Sequence, residues 1–185
     1  MKTRIVIYDF DGTIFHSPER EEGETSYFNA TGEFFPYAGW WGRNETLTPP
    51  IVPETPDSSW YLEETVESCK ADFIREDTEV ILMTGRPYKL RHRIIELCEL
   101  ANLKFDRHFF KGQPGQKGTD TFDVKRNFIQ DHILHPNLKF LEIWEDRPEH
   151  VSNFVNISKY WKSKQHKYLD QITIHDVKTC KKLKI

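Results

Sequence analysis

Short β-rich apolar runs recur along this chain, and helical spacing fills the stretches between them. Residues 3–9 (TRIVIYD), 78–83 (TEVILM) and 138–144 (LKFLEIW) read as strands; 104–110 is weaker, and 168–177 reads as a fifth strand at the sheet edge. Runs this short and continuously apolar suit strands buried on both faces. Ser59 is placed to cap a helix running to about residue 75, with Leu62, Val66, Cys69 and Phe73 on one stripe. Pro87 suits a first helical turn, followed by Leu90, Ile94, Leu97, Cys98 and Ala101 at helical spacing. Residues 121–134 carry Phe122, Ile129 and Ile133, and Pro148 opens a last helix through about residue 161. The alternation predicts an α/β fold, a Rossmann-like parallel sheet with helices on both faces. A length of 185 residues fits one such domain over 1–185.

One segment breaks the rhythm. Residues 16–58 are rich in proline, glycine and acids, with an aromatic knot of Phe34, Phe35, Tyr37, Trp40 and Trp41. That is too long for a plain connection and predicts a small, cap-like insertion after the first strand. The net charge of −3 hides an asymmetry. Residues 17–79 hold 15 acidic and 4 basic side chains, whereas residues 158–185 hold 8 lysines and 2 aspartates. Such a chain binds a polyanion only locally, and the lysine tail also reads as a solvated face. Three dispersed cysteines without a CxxC spacing argue against a disulfide framework or structural zinc. With no secretory signal and no 18-residue apolar stretch, the expectation is a soluble, cytoplasmic protein without a membrane partner. No stable protein partner is predicted.

The chemistry-bearing residues gather where strands end. Residues 9–13 (DFDGT) close the first strand with Asp9 and Asp11 one residue apart. In an open parallel sheet, sites form at the carboxyl ends of strands. One carboxylate there can attack phosphorus, while a second handles protons or holds a metal. The second strand ends in Thr84-Gly85-Arg86, a hydroxyl, free amides and a guanidinium suited to an anion. The fourth ends in Glu145-Asp146, adjacent acids that repel each other unless a cation intervenes. Lys125 lies in the preceding helical stretch, within reach of a phosphate.

In this order, DFDGT, TGR, a helix-borne lysine and an acid pair resemble the four motifs of the haloacid dehalogenase (HAD) superfamily. The resemblance implies an Mg2+-dependent phosphomonoesterase with the HAD fold. Asp9 would be the nucleophile that becomes an aspartyl phosphate, and Asp11 the general acid and base. Thr84 and Lys125 would hold the transferring phosphoryl group. Mg2+ would sit between the Asp9 carboxylate, the Asp11 carbonyl and Asp146, with Glu145 in the outer shell, as in polynucleotide phosphatases of the superfamily. Phe15, Gly39-Trp40-Trp41, the TGR motif, Thr121 with Lys125, and the stretch from Trp144 to His150 resemble more narrowly the Swiss Army Knife RNA repair-like branch. That likeness covers about residues 3–155 and implies a phosphorylated DNA or RNA 3′ end as substrate. No second catalytic module accompanies it, so no ligase or kinase activity is carried over. Residues 112–119 have Lys-Gly where a phosphate loop has Gly-Lys, and read as a loop.

Arg86, Lys89 and Arg91 are candidate substrate-binding residues that could follow a nucleic-acid backbone, or alternately face solvent. Trp40 and Trp41 could stack on a base, a contact worth about 1–3 kcal/mol, or pack the insertion onto the main domain. Two other readings stay open: a phosphatase of a small metabolite or nucleotide, and a non-catalytic module that binds phosphorylated ends.

Overall fold

The computed structural model describes residues 2–116 and 118–185; Lys117, in the loop read from residues 112–119, lies outside them. Six strands form one sheet in the order β3-β2-β1-β4-β5-β6. These are β1 (Arg4–Tyr8), β2 (Thr78–Pro87), β3 (Arg107–Lys111), β4 (Phe140–Glu145), β5 (Gln171–Asp176) and β6 (Lys181–Lys184). All pairings are parallel except β5 with β6. The helices are α1 (Arg20–Thr31), α2 (Glu63–Phe73), α3 (Arg91–Leu100), α4 (Thr121–His132) and α5 (Pro148–Tyr160).

Strand alternation divides the apolar residues between two layers. Val6, Tyr8, Val80, Leu82 and Trp144 point to one face, joined there by Val66 of α2, Ile94 and Leu97 of α3, and Trp40, Leu47 and Val52 of the 16–58 segment. Ile5, Ile7, Ile81, Met83, Leu141 and Ile143 point to the other, under Val124 and Ile129 of α4 and Val151 and Phe154 of α5. Each aliphatic side chain buried this fully contributes roughly 1.5–3 kcal/mol. The expected α/β architecture is therefore present, with helices on both faces.

Several boundaries differ from the sequence reading. Asp57, not Ser59, serves as a cap: its carboxylate accepts from Ser59 N–H over a 3-10 turn (Ser58–Trp60), and α2 begins only at Glu63. Pro87 ends β2 instead of opening a helix; a 3-10 turn (Tyr88–Leu90) leads into α3. The fifth strand is internal, because β6 pairs outside it with Leu183 opposite Ile174. A helix, α1, lies within the 16–58 segment, with only Gly23 buried. Among the described residues, no helix is long and apolar enough to cross a membrane.

β1 is central, and its register fixes the site. Tyr8 pairs with Leu82 on one side and Trp144 on the other. The residues that follow, Asp9 through Gly12, therefore leave the sheet beside Thr84 of β2 and the acid pair after Trp144.

Candidate active site

Phe10 anchors the turn after β1. Its ring is buried and stacked on Phe15, with centroids 5.4 Å apart. Ile14 and Phe15 N–H groups both donate to the Phe10 carbonyl at 3.0 Å, and Gly12 N–H donates to Phe15 O. Gly12 adopts φ +67°, which L side chains rarely tolerate. A Cβ there would lie 2.3 Å from Asp146 Oδ2, so the chain turns hard against the acid pair.

Lys125 reaches in from α4. Its buried ammonium is 2.9 Å from Asp9 Oδ2 and 2.8 Å from Glu145 Oε2. Burial alone would lower the lysine pKa, but Asp9 and Glu145 outweigh it and raise it. For Glu145 burial acts upward; Lys125 and the His150 ring outweigh it and hold the carboxyl well below its usual range. His150 Nδ1 lies 3.3 Å from Glu145 Oε2, near enough to favour the carboxylate but not aligned for a hydrogen bond. Burial pushes the Asp9 carboxyl well up; Lys125 opposes this, and Glu145, Asp11 and Asp146 add to it. Burial and then Glu145 push Asp146 up to about 6. The cluster thus holds more negative charge than Lys125 neutralises.

Its oxygens fit a cation. Ligand atoms of Asp9, Glu145 and Asp146 all lie within 4.8 Å of one another. Asp9 Oδ1 and Asp146 Oδ1 are buried and lack any hydrogen-bond partner. Both Glu145 oxygens are engaged, Oε2 by Lys125 and Oε1 by Arg147 N–H at 3.2 Å. A hard divalent ion such as Mg2+ suits such an all-oxygen set. Asp9 and Asp146 are the residues with oxygen to offer it directly, and Glu145 supports from behind.

Thr84 is fully buried, and its Oγ1 accepts from Arg86 N–H at 3.1 Å. The β2–β3 register shifts between Thr84 and Pro87, bulging the strand there. The bulge turns Arg86 inward. Its Nε donates to Asp11 Oδ1 at 2.9 Å and Oδ2 at 3.1 Å, and its Nη2 to Oδ1 at 2.8 Å. Nη1 donates to Thr46 Oγ1 at 2.9 Å and to the Trp41 carbonyl at 3.2 Å.

The structure therefore brings together Asp9, Asp11, Lys125, Glu145 and Asp146, with Thr84 and Arg86 beside them. Arg86, expected to bind substrate, is 1% exposed and engaged through Nε, Nη1 and Nη2, holding Asp11 and Thr46 at the wall of the cleft. Trp40 is a correction. It is buried, its Nε1 donates to Pro18 O at 2.9 Å, and its ring closes on Gly23, so it packs the insertion and has no face for a base. Trp41 stays half-buried at the mouth, 4.7 Å from the Arg86 guanidinium. Lys89 is exposed, and Arg91 lies over the Tyr88 ring; neither lines the cleft beside Asp11. Sequence reasoning missed Thr46, which carries no local signal. It also gave no role to Arg147, although the residue stands next to the acid pair.

A protein of Saccharomyces cerevisiae, the uncharacterized protein YMR265C, is 26% identical over 170 residues, covering 82% of this chain and 36% of the yeast protein. The chain thus spans about a third of that relative's length. Two solved structures share the fold at 15% identity. The HAD domain of the effector protein Lem4 from Legionella pneumophila, an inactive mutant, superposes with a TM-score of 0.54, covering 95% of this chain and 86% of that one. A chain in the structure of a Pnkp1/Rnl/Hen1 complex superposes at 0.51, covering 89% of this chain and 44% of that one. Residues 23–185 match the family described as HAD domain family 1 in Swiss Army Knife RNA repair proteins. With the acid pairs, lysine and strand order in place, the chain belongs to that HAD family.

Proposed function

We propose that the chain is an Mg2+-dependent phosphomonoesterase that removes terminal 3′-phosphates from nucleic acid through an aspartyl phosphate on Asp9. The observation that carries this reading is the state of Asp9: one carboxylate oxygen on Lys125, the other buried and unpartnered beside the equally unpartnered Asp146 Oδ1. Bound there, Mg2+ would offset the carboxylate charge that otherwise repels a phosphate dianion. The Asp9 carboxylate attacks phosphorus, the bond to the leaving oxygen breaks, and Asp11 supplies that oxygen with its proton. Water then attacks the aspartyl phosphate, Asp11 takes a proton from it, and Asp9 and phosphate are regenerated. Asp11 Oδ2 accepts only from Arg86 Nε, whereas Oδ1 accepts from both Nε and Nη2, so Oδ2 is the oxygen freer to carry the proton. Lys125 and Thr84 hold the phosphoryl group. The nucleic-acid substrate is inferred from the family, whose name refers to RNA repair, and from the half-buried Trp41 at the mouth.

The test is phosphate release from 3′- and 5′-phosphorylated DNA and RNA oligonucleotides, nucleotides and sugar phosphates. The expected result is Mg2+-dependent turnover, preference for 3′ ends, and loss of turnover in Asp9→Asn. Normal turnover by Asp9→Asn would overturn the covalent route, and preference for a sugar phosphate would overturn the substrate.

A further inference from the structure

A cleft of about 450 Å3 opens beside Asp11, with Trp41, Arg86, Lys111, Thr121 and Arg147 in its walls. Two of its cations, Lys111 and Arg147, are not tied to the carboxylate cluster by a side-chain ion pair among the described residues. Lys111 ends β3, and its ammonium donates to Thr121 Oγ1 at 3.3 Å, on the first residue of α4. Thr121 is itself pressed against Gly85, where a Cβ would meet its Cγ2 at 2.6 Å. Lys111 is thereby moored next to the strand end that bears Thr84. Arg147 directly follows the acid pair, and its guanidinium lies 5.7 Å from the centre of the Trp41 ring. Among the described residues, neither Lys111 nor Arg147 forms an ion pair with a carboxylate.

Two unpaired cations in the walls of one cleft favour an anion between them. On the phosphomonoesterase reading the reacting phosphoryl group does not need them, because Lys125 and Thr84 would hold it and Asp9 and Asp146 would hold the ion. We infer that Lys111 and Arg147 form a second phosphate subsite, which takes a further phosphate carried by the leaving group of the same substrate. This rests on the phosphomonoesterase reading and narrows its substrate class to phosphomonoesters whose leaving group is itself phosphorylated. A nucleic-acid 3′ end meets that requirement with its first internal phosphodiester. A nucleoside 3′,5′-bisphosphate meets it with its 5′-phosphate. Trp41, close to both Arg86 and Arg147, lines the same cleft.

The test compares a nucleoside 3′-monophosphate, the matching 3′,5′-bisphosphate and a 3′-phosphorylated dinucleotide. kcat/KM is measured for the intact protein, Lys111→Gln and Arg147→Gln, and equilibrium affinity for the same ligands is measured on Asp9→Asn with and without each change. The expected result is that the second phosphate raises kcat/KM and affinity about tenfold or more, the size of one charge-assisted contact. Each single variant should cut that ratio severalfold. A dinucleotide favoured over the bisphosphate identifies a nucleic-acid strand as the source of the second phosphate; the reverse order identifies a small nucleotide. A ratio near one in the intact protein, or a ratio unchanged in both variants, overturns the subsite. Absence of turnover with a phosphate-dependent affinity ratio still present overturns the phosphatase reading alone.

Discussion

Arg86 grips Asp11 with a two-pronged hydrogen bond, Nε at 2.9 Å and Nη2 at 2.8 Å from the same carboxylate oxygen, with both side chains buried at the edge of the cleft. Arg86→Ala should lower stability by about 3–5 kcal/mol, because it leaves a buried carboxylate without its partner. Arg86→Lys keeps the charge but cannot reach Asp11, Thr46 Oγ1 and the Trp41 carbonyl together. It should fold, with kcat/KM down about 100-fold from misplacement of Asp11. Chemical denaturation and steady-state kinetics read both; a Lys variant equal to the parent in both would remove the positioning role of Arg86.

Gly12→Ala should be more damaging than its size suggests. The left-handed backbone costs an alanine roughly 1–2 kcal/mol, and the new methyl would land on the Asp146 carboxylate. Thermal unfolding should register a moderate loss, and turnover should fall further than stability as Asp146 is displaced. Activity that tracks stability alone would show that Asp146 has room to move aside.

Adding Mg2+ should raise the melting temperature. An ion at about 100 times its Kd stabilises by about 2.7 kcal/mol, or roughly 5–10 °C in a chain of this length. EDTA should reverse the shift. Asp146→Asn should blunt it, since that residue holds one of the two unpartnered oxygens. A melting temperature indifferent to Mg2+ would remove the ion from the proposed function.

Trp40→Ala should behave as a core deletion. The ring is 5% exposed and fills the space against Gly23 and Ile51, so the loss should be about 3–5 kcal/mol. Oligonucleotide affinity of the folded fraction should stay within a factor of a few. A large affinity loss without destabilisation would restore Trp40 as a stacking residue.

Acid should weaken the protein partly through Glu142. Burial would raise this carboxyl, but His175, Arg4 and Lys182 outweigh it and hold it below its usual 4.5. His175 Nε2 lies 2.7 Å from Glu142 Oε2, and Arg4 pairs with the other oxygen. A pKa lower in the folded state than in the unfolded chain contributes stability that is complete above the unfolded value. That contribution is lost as pH falls through the folded one. Urea midpoints should therefore drop below pH 4.5, and Glu142→Gln should flatten that part of the profile. An unchanged slope in the variant would assign the acid sensitivity elsewhere.

The strands that carry the site were legible because each is a short apolar run ending in a polar motif. Asp9 and Asp11 stand just past the end of β1, Thr84 near the end of β2 and the acid pair at the end of β4, which is where the sequence placed them. Lys125 was singled out from its place in the helical stretch before the acid pair and from the family resemblance. The edges were not legible: β6 reads as a lysine tail, and Leu183 opposite Ile174 is the apolar side chain among the four residues it pairs with β5. α1 was hidden for a related reason, burying one glycine and presenting no apolar stripe. Arg86 was singled out, but its hold on Asp11 was not legible, since adjacency to Thr84 does not reveal a bulge that turns its guanidinium toward Asp11. Thr46, 40 residues before Arg86 in the chain, could be found only from the fold.

That distant hydroxyl bears on how such a chain can change over generations. Thr46 sits in the 16–58 segment, outside every strand of the sheet, yet its oxygen accepts from the guanidinium that holds Asp11. The stretch is therefore not a detachable module. Grafting residues 16–58 from a relative onto this scaffold would exchange one end of a three-residue relay and leave the other two unmatched. Positions 11, 46 and 86 should be inherited together, and a transplanted segment should regain function only when residue 46 is restored.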